Sequence, residues 1–519
     1  MEYSIVLQWV ACVVFICFLV YKALTKNYDY WAKQNVPFVK PRMILGSVES
    51  GKPLHELERE WYNRYGRIYG RYDGSAPVLC VAEPELLKRV LIKDFHIFQN
   101  RRDLAFNDPI MDNTLFVLEG EAWRRVRNIV TPTLTSAKLR RMLPLLDECS
   151  DLLVKNLAEI VNKGQAISCQ KVFSAFTLDA IGRCAFGMTI NSLASEDDPF
   201  VAKANMLLQC FMSWRTYITL IFPRLMKLLR MKLLNPETTE FYKNIILQVV
   251  EERKKVHAVR EDFLQLLLDA ENESTDSNNN NTKSQYTTVN CTKDNTSGTM
   301  EIKPVTKGLS HDECLSQCIS FFIAGYDATT SLLSYVLYNM AMHQNYQDTV
   351  VKEIENALEK HDGVLNYDTL SDLKFMDAVI SECMRLCPTM VRSDRRAESD
   401  YVFGDTNIVL KKGMLVSIPI YAIHRDPEWY PEPDVFKPER FYNPDPNRPQ
   451  YVHLPFGAGP RICVGMRFVQ MQVKLCLAKV LLRFQVHPAP TTPECLEYTE
   501  IRNVLKVNHV EVSLSERAV

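Results

Sequence analysis

A ten-residue segment near the C-terminus, Phe456-Gly-Ala-Gly-Pro-Arg-Ile-Cys-Val-Gly465, constrains the fold of this chain more than any other stretch. Gly457 and Gly459 carry no Cβ and tolerate positive φ, so they predict a tight backbone turn that can approach a flat ligand. A helix-forming stretch, Met466 to Phe484, follows at once. Cys463 is therefore expected at a helix N-terminus, where backbone N–H groups and the helix dipole favour a thiolate over a thiol.

A thiolate in such a loop fits one kind of chemistry. It is the axial ligand that a heme iron needs for splitting dioxygen, because the sulfur pushes electron density toward the O–O bond. Arg461 is placed to pair with a heme propionate. No second Cys or His stands at ligand spacing beside Cys463, which argues against a zinc site. A buried, inert cysteine in a Gly-Pro loop is the structural alternative.

The segment resembles the heme-binding signature of the cytochrome P-450 superfamily, Phe-x-x-Gly-x-Arg-x-Cys-x-Gly, and matches it at every fixed position. The resemblance covers essentially the whole chain and is closest to the animal microsomal members that oxidise foreign compounds and steroids. It implies a mainly α fold with small β-sheets, in which a triangular helical prism surrounds a buried heme b (iron protoporphyrin IX). Phe456, Arg461 and Cys463 would bind this heme, and Cys463 would be the axial ligand of its iron.

The N-terminus has the pattern of a membrane anchor. The nineteen residues from Tyr3 to Tyr21 include no charged residue. As a helix they would span about 29 Å, close to the hydrocarbon thickness of a bilayer. Lys22 and Lys26 follow, and this basic flank predicts a cytoplasmic C-terminal side. We interpret residues 1–24 as a single uncleaved signal-anchor in the endoplasmic reticulum membrane, with the catalytic domain facing the cytosol. A buried core helix is the alternative.

Cysteine usage and net charge indicate the redox compartment of the chain and the class of its partners. Its fifteen cysteines show no paired spacing, which indicates a reducing compartment rather than a disulfide framework. The net charge of −1 gives no support to nucleic-acid binding, so we expect no nucleic acid among the partners. An apolar content of 47% over 519 residues is enough to bury a large core.

The rest of the chain is predicted to consist of a linker and one catalytic domain. Residues 25–50 contain Pro37 and Pro41 and have the composition of a linker. Residues 51–519 would form the heme-thiolate domain that the resemblance implies. Within this domain, residues 272–300 are polar and low in complexity. They cannot bury enough apolar surface to offset chain entropy, so a disordered surface loop is expected there.

Residues 310–342 have the pattern of one long helix. Ser310 and Glu313 form a capping-box signature, and no proline interrupts the segment that follows. Gly325 is the one helix breaker in this segment. A glycine there allows close approach of a ligand or local opening of the helix, and a tolerated core glycine is the structural alternative.

The resembled family carries a motif on this helix that usually reads Ala/Gly-Gly-x-Asp/Glu-Thr-Thr/Ser. Asp327 fits the acidic position, but Ala328 stands where the family has a threonine that assists proton delivery. Thr329 comes one residue later, about 100° round the helix, and would replace that hydroxyl only if the register shifts at Gly325. We therefore expect Asp327 to feed protons while Ala328 and Thr329 organise water. Positioned proton delivery is typically worth about 10²–10⁴-fold, so the substitution matters.

The resemblance assigns four further residues to the heme. Trp123 and Arg127 match the family's Trp-x-x-x-Arg helix, whose Trp and Arg bind a heme propionate. Arg101 and Arg392 occupy places where some members add further propionate contacts.

A structural trio is implied as well. Glu382 and Arg385 stand three residues apart on a predicted helix, where they share one face and can pair. Arg440 comes from a Pro-rich segment that supplies the third member in the family. Losing one of the three would strand buried charge and abolish heme incorporation.

Two surface patterns predict partners. Five basic residues on and after the Trp123 helix predict docking of an acidic NADPH–cytochrome reductase, with a solvated helix face as the alternative. They are Arg124, Arg125, Lys138, Arg140 and Arg141. Residues 218–234 interleave apolar and basic side chains, which predicts contact with membrane lipid, and a core-facing helix is the alternative.

The substrate is predicted only by class. The stretches expected to line the pocket are mostly apolar, which indicates a hydrophobic small molecule. They are residues 106–118, 207–217, 321–325 and 389–391.

The leading hypothesis is a membrane-anchored heme-thiolate monooxygenase that inserts one oxygen atom from dioxygen into hydrophobic small molecules such as xenobiotics, steroids or lipids. The chain has no nucleotide fingerprint, so NADPH electrons would arrive through a separate flavoprotein reductase. Ala328 supports a rival, because some relatives without the threonine are isomerases or dehydratases that rearrange lipid peroxides. A heme-binding sensor without turnover is the third possibility.

Overall fold

The structure is a computed structural model that describes residues 2–48, 51–104, 106–188, 190, 203, 206, 214–221, 223–256, 262–269, 308–501, 503–507 and 509–517. Over these residues the chain is mainly helical with small β-sheets, which confirms the predicted fold class. The loop predicted over residues 272–300 lies outside the described residues, as does most of the pocket stretch 207–217.

The helices are numbered here in chain order over the described residues. They are α1 Glu2–Thr25, α2 Leu54–Tyr65, α3 Pro84–Lys88, α4 Gly120–Val130, α5 Ser136–Asn162, α6 Cys169–Phe186, α7 Trp214–Ile221, α8 Pro223–Leu228, α9 Pro236–Val256, α10 His311–Met342, α11 Gln344–Lys360, α12 Tyr367–Asp372, α13 Lys374–Leu386, α14 Ile420–Ile423, α15 Glu439–Tyr442 and α16 Met466–Arg483. Short 3-10 and π segments join several of them.

The strands form four sheets over the described residues. They are β1 Ile68–Asp73, β2 Ala76–Val81, β3 Ile167–Ser168, β4 Ser393–Arg396, β5 Tyr401–Phe403, β6 Ile408–Leu410, β7 Leu415–Ile418, β8 Phe484–Pro488, β9 Tyr498–Ile501, β10 Val504–Val507 and β11 Glu511–Glu516. The largest sheet has the order β1-β2-β7-β4, in which β2 and β7 are parallel and the other pairs antiparallel. The others are β3-β11-β8, β5-β6 and β9-β10.

The long helix α10 runs through the middle of the helical part. It begins as predicted, with a capping box in which the Ser310 hydroxyl accepts from Glu313 N–H and the Glu313 carboxylate accepts from Ser310 N–H. The helix α6 packs against both α5 and α10, and α16 also packs against both. Phe173, Phe176 and Leu337 are fully buried where these helices meet. Burial of such side chains contributes about 1.5–3 kcal/mol each.

The helix α1 stands apart from this core. Residues 5–25 have a mean hydropathy of 2.2, and none of this span is buried by the rest of the chain. Its exposed side chains include Leu7, Trp9 and Phe15. Among the described residues it is the one helix long and apolar enough to cross a membrane. An exposed apolar helix of this length is suited to lipid and poorly suited to water.

The segment predicted as a linker, residues 25–50, is ordered against the large sheet. Trp31 is fully buried, and a Cβ added to Gly70 would lie only 2.3 Å from the indole ring. Val39 N–H donates to the Gly70 carbonyl (2.9 Å), and Gly70 N–H donates to the Pro37 carbonyl (2.7 Å). The described part of the predicted linker therefore adds backbone pairing to β1 and packs Trp31 against it.

The amphipathic segment 218–234 exposes apolar side chains. Met226 of α8 is fully buried and fixes one face of the segment on the domain. Leu225 is 42% exposed, Leu228 79% and Leu229 57%. The exposed side of the segment therefore carries leucines among the basic residues Lys227 and Arg230, so the segment is not simply a core-facing helix.

The predicted structural trio forms within the core. Arg385 donates to both carboxylate oxygens of Glu382 (2.7 and 2.8 Å), and both residues are fully buried. Arg440 Nε lies 3.4 Å from the same carboxylate. Arg385 also donates to the carbonyls of His424 and Pro433 (2.7 Å each). One buried carboxylate therefore holds the helix α13 to the irregular segment that leads to the cysteine loop.

Glu382→Gln is expected to destabilise the protein by about 3–5 kcal/mol, because Arg385 and Arg440 would keep buried charge without a counter-ion. We also expect loss of bound heme. Unfolding of the purified protein and heme per chain measure both effects. As the matched control, Asp400→Asn breaks the exposed pair between Asp400 and Lys411 and should change neither quantity. Equal losses of stability and of bound heme in the two variants would show that the buried trio stabilises the protein no more than an exposed ion pair does.

Candidate functional site

The cysteine loop has the tight geometry that its glycines predict. Gly457 and Gly459 have φ of 73° and 74°. A Cβ on Gly459 would lie 2.0 Å from the Leu91 carbonyl oxygen, so no other residue fits there. Cys463 N–H donates to the Phe456 carbonyl (2.9 Å), which closes the loop. The loop is thus a rigid turn that presents Cys463 immediately before α16.

Cys463 combines an accessible thiol with close surroundings. Its surface is accessible, and yet burial by the surrounding chain raises its pKa. The backbone N–H groups of Gly465 and Met466, together with Arg101 and Arg127, lower this pKa but do not outweigh burial. The helix N-terminus alone therefore does not make the thiolate that the sequence predicted. A metal ion does, because coordination deprotonates a thiol.

Four arginines lie near Cys463, two of them buried (Arg395 and Arg461) and two half-buried (Arg101 and Arg127), and we call these four the arginine cluster. Burial and repulsion between members of the cluster lower the pKa of Arg461 to about 8. Burial lowers the pKa of Arg395 to about 9, with repulsion from Arg101 adding to the effect. The pKa of Arg101 falls to about 10, mainly through burial, and the pKa of Arg127 is lowered as well.

Backbone and aromatic contacts hold the cluster in place. Arg461 donates to the carbonyls of Gln99 and Leu118 (2.8 Å each), and its guanidinium lies 4.2 Å from the centre of the Trp123 ring. Arg101 lies 4.4 Å from the Phe116 ring. Cation–π contacts of this kind fix a guanidinium without neutralising it.

The cluster fits an anionic ligand with two carboxylates. The acidic side chains that act on it electrostatically are engaged elsewhere: Glu119 pairs with Arg396 (2.6 Å) and Asp394 with Arg102 (2.7 Å). Nε of Arg101 and Nε of Arg395 have no hydrogen-bond partner among the described residues. Buried cations need a counter-charge. A heme supplies two propionates, and Cys463 lies near the cluster, so the residues present fit a heme.

Arg392 is corrected by the structure. Its guanidinium pairs with the fully buried carboxylate of Glu58 (2.9 Å), away from the cluster. Arg395, which the sequence reasoning missed, takes the place in the cluster instead. The chain reads Arg392-Ser-Asp-Arg-Arg396, and only the pairing of β4 with β7 decides which arginine points inward. Three arginines within five positions mark this stretch in the sequence. The sequence does not give the strand register that selects between them.

The long helix α10 has an accessible face and a buried face. Ala324 is exposed although it lies in mid-helix, and Ala328 is partly exposed on the same side. Thr329 is fully buried, and its hydroxyl has no hydrogen-bond partner among the described residues. The helix continues unbroken through Gly325, where a Cβ would lie 2.8 Å from Ile181. Gly325 thus allows close packing of α6, and no register shift brings Thr329 to the place of Ala328.

Asp327 forms an ion pair that the sequence reasoning did not foresee. Its carboxylate pairs with the ammonium of Lys506 on β10. Burial raises the pKa of Asp327, and Lys506 opposes that rise. The residues after position 493 had no assigned role in the sequence, because the contact depends on a hairpin brought back from the C-terminal end of the chain.

The predicted basic docking cluster is largely neutralised within the chain. Arg125 pairs with Glu313 at the start of α10. Arg124 pairs with Glu121 (2.7 Å), and Arg140 pairs with Asp368. These contacts favour the alternative of a solvated, internally paired face at those three positions.

The comparisons with known proteins agree with this geometry. The chain matches the cytochrome P450 family over residues 35–511, a span that includes the cysteine loop, the arginine cluster and α10. It is 34% identical to cytochrome P450 3A11 of Mus musculus over 484 residues, which are 91% of this chain and 90% of the relative. It is 35% identical to cytochrome P450 3A2 of Rattus norvegicus over 492 residues, 93% and 92% of the two chains. Cytochrome P450 3A14 of Cavia porcellus is 33% identical over 485 residues, 91% and 90%.

Arg395→Met is expected to weaken heme binding by about 10–100-fold, the range for losing one charged hydrogen bond to a propionate. Heme titration of the apoprotein measures this change. Arg392→Met serves as the matched variant, because it breaks the pair with Glu58 outside the cluster. It should lower the thermal midpoint while the remaining folded protein keeps its heme affinity. A larger loss of heme affinity in the Arg392 variant would contradict the assignment.

Proposed function

This chain belongs to the cytochrome P450 family, and from that premise we propose that its cysteine loop and arginine cluster together form the heme site. The protein is a heme-thiolate monooxygenase that takes NADPH electrons through a reductase. The observation that carries the residue assignment is the largely buried cluster of positive charge beside the accessible Cys463. Two propionates and a metal-bound thiolate would supply the missing negative charge.

Each member of the site has a separate task. Cys463 would ligate the iron, and its loop would keep the sulfur at one position because Gly459 packs directly on Leu91. The arginine cluster would neutralise the propionates, with Trp123 holding Arg461 and Phe456 closing the loop behind Cys463. When bound, the heme supplies the iron at which dioxygen is activated.

The accessible face of α10 would form the other wall of the site. Ala324 and Ala328 are small and apolar, and they leave room for a substrate. Phe321 stacks on Phe263 (4.5 Å between ring centres), which adds an apolar aromatic layer beside this face. These side chains would bind a hydrophobic small molecule and exclude bulk water from it.

Proton delivery would differ from that of relatives with a hydroxyl at this position. Ala328 has no polar group, and Thr329 is buried on another face of the helix. We propose that water held beside Ala328 carries the proton and that Asp327 supplies it. Asp327 suits the task because it is the acidic side chain adjacent to Ala328 and lies at the edge of the accessible face.

The protein would be held on the endoplasmic reticulum membrane by a single span, α1, with the catalytic domain in the cytosol. Support comes from the exposed apolar surface of α1 and from Lys22 and Lys26 after it. The thirteen cysteines that the structure describes are all free, and all but Cys12 and Cys17 lie outside α1, which supports a reducing compartment for the domain. The exposed leucines of segment 218–234 would add a contact with membrane lipid. The electron donor would be an NADPH–cytochrome reductase.

The deciding experiment measures oxygenated product and hydrogen peroxide per NADPH consumed. The full-length, heme-loaded protein is reconstituted with reductase in vesicles and offered a panel of hydrophobic substrates. We expect product that depends on NADPH and reductase, accompanied by peroxide because no hydroxyl stands at position 328. Peroxide alone across the panel, together with rearrangement of lipid peroxides without NADPH, would support the isomerase alternative instead.

Ala328→Thr is expected to raise the ratio of product to NADPH by several-fold, because it adds a hydroxyl on the accessible face of α10. The full contribution of a positioned proton donor is about 10²–10⁴-fold, and water already provides part of it. Ala324→Thr is the matched control, since it adds the same hydroxyl one turn earlier on the same face. An equal gain in both variants, or none in Ala328→Thr, would show that position 328 does not limit proton delivery.

A further inference from the structure

His424 is a fully buried histidine between the helix α13 and the segment that leads into the cysteine loop. Its Nε2 accepts from the N–H of Leu454 (2.9 Å), and its Nδ1 lies 3.2 Å from the carbonyl oxygen of Arg385. Because a backbone N–H can only donate, Nε2 is unprotonated and the ring hydrogen stands on Nδ1. His424 therefore makes both hydrogen bonds only as a neutral ring.

The bond to Leu454 lies at the start of the turn that presents Cys463. The Leu454 carbonyl accepts from Gly457 N–H (3.0 Å), and the Phe456 carbonyl accepts from Cys463 N–H (2.9 Å). Leu454 is buried, and a buried N–H that loses its acceptor is costly. Without the Nε2 acceptor, the loop would therefore lose its attachment on the side where the chain enters it.

The other side of the His424 ring is anchored at the C-terminal end of α13. Arg385 lies in the last turn of this helix, where carbonyl groups have no partner within the helix. The Arg385 carbonyl accepts from Nδ1 of His424, and the Arg385 guanidinium donates to the His424 carbonyl (2.7 Å). Arg385 is itself held by Glu382 (2.7 and 2.8 Å). His424 thus connects the buried structural trio to the cysteine loop.

The groups around His424 oppose a positive charge on its ring. Burial, the neighbouring His453 and the guanidinium groups of Arg385 and Arg425 hold the pKa of His424 well below its usual range, against the opposing effect of the Arg385 carbonyl. Glu382, the acid on the facing helix α13, is already paired with Arg385. The site is therefore built for the neutral ring, and a proton on it would have no counter-charge.

His453 is the second imidazole at this place, and its ring centre lies 5.4 Å from that of His424. Its Nε2 lies 3.3 Å from the Ser381 carbonyl oxygen, and its ring packs on Phe441 (4.5 Å). Burial and the nearby Arg448 lower the pKa of His453 to about 3. His453 is therefore neutral at pH 5 and above, and it leaves the bond to Leu454 to His424.

We propose that His424 is a positioning residue for Cys463, which holds the cysteine loop to α13 while its ring is neutral and releases the loop when the ring takes up a proton. The inference rests on the heme site proposed above. The protonated ring carries hydrogen on both nitrogens, so Nε2–H would face the Leu454 N–H donor to donor. The loop would then separate from α13 at Leu454, and Cys463 would lose its fixed position.

The first test follows thiolate ligation in the full-length, heme-loaded protein from pH 8 to pH 4.5. The Soret absorption of the carbon monoxide complex distinguishes a thiolate ligand from a thiol. A histidine whose folded pKa is depressed stabilises the protein above its unfolded pKa of about 6.5, and this stabilisation is lost as the pH falls. His424→Gln keeps an acceptor that does not titrate. We expect this variant to keep the thiolate form to a pH about one unit lower than the native chain does, a tenfold higher proton concentration.

The matched control is His509→Gln, the same substitution at an exposed histidine that pairs with Glu511. It should leave the acid profile of thiolate ligation unchanged.

The second test measures the hydrogen bond to Leu454 directly, by hydrogen exchange and mass spectrometry of the segment 452–457 at pH 7.5. His424→Phe keeps an aromatic ring and removes the acceptor. We expect the Leu454 amide to exchange about tenfold faster in this variant, the factor for losing one buried hydrogen bond. His424→Gln and His453→Phe should exchange as the native chain does, because both keep an acceptor for Leu454.

Two results would each overturn the proposal: a native acid profile in His424→Gln, or native exchange in His424→Phe. If neither His424 variant binds heme, the native chain provides the test. Exchange of the Leu454 amide, corrected for the intrinsic effect of pH, should then rise over the pH range in which the thiolate signal is lost. Constant protection through that range would overturn the proposal.

A failure of the proposed heme site has a different signature. The native chain would then show no thiolate signal at any pH, while His424→Phe would still accelerate exchange at Leu454. In that case His424 would have no role in positioning a ligand, and its hydrogen bonds would be structural contacts only.

Discussion

The largely buried positive charge of the arginine cluster is the constraint on which the site depends. Four guanidinium groups from separate parts of the chain converge beside Cys463, and their nearest acids are paired elsewhere. Such an arrangement costs free energy unless a counter-charge arrives. The folded chain is thus prepared for an anionic ligand, and binding of that ligand stabilises the native state by linkage. If the cluster holds the heme propionates as proposed, heme binding and folding would be coupled for an electrostatic reason.

The helix α10 carries its apolar and its polar side chains on different faces. The accessible face of α10 carries Ala324 and Ala328, while Asp327, Thr329 and Thr330 are buried. Apolar surface on the accessible side suits hydrophobic ligands and gives little help to proton transfer. The carboxylate of Asp327 lies against the C-terminal hairpin, where it pairs with Lys506. In the proposed function, substrate binding and proton supply would therefore be separated in space.

The sequence predicted the local parts of this design well. The capping box at Ser310, the glycine turn before Cys463 and the apolar helix α1 all rest on interactions between residues close together in the chain. The predictions that needed correction depend on distant contacts. Residues 25–50 were expected to be a linker because of their prolines. Trp31 nevertheless packs on Gly70, a contact that no local sequence pattern indicates. The resemblance pointed to Arg392, whereas the pairing of β4 with β7 brings Arg395 to the cluster, and strand register cannot be derived from composition.

Three features follow from local sequence alone: a cysteine in a glycine turn at a helix start, a long helix with alanine in place of a hydroxyl, and an apolar N-terminal helix. Short-range rules of backbone geometry and periodicity are sufficient for these features. Which charges meet depends on the fold of the whole chain. The choice of Arg395 for the cluster, the diversion of Arg392 to Glu58 and the pairing of Asp327 with Lys506 all join residues from separate elements. Electrostatic partners are set by distance and burial in space, and neither can be read from order along the chain.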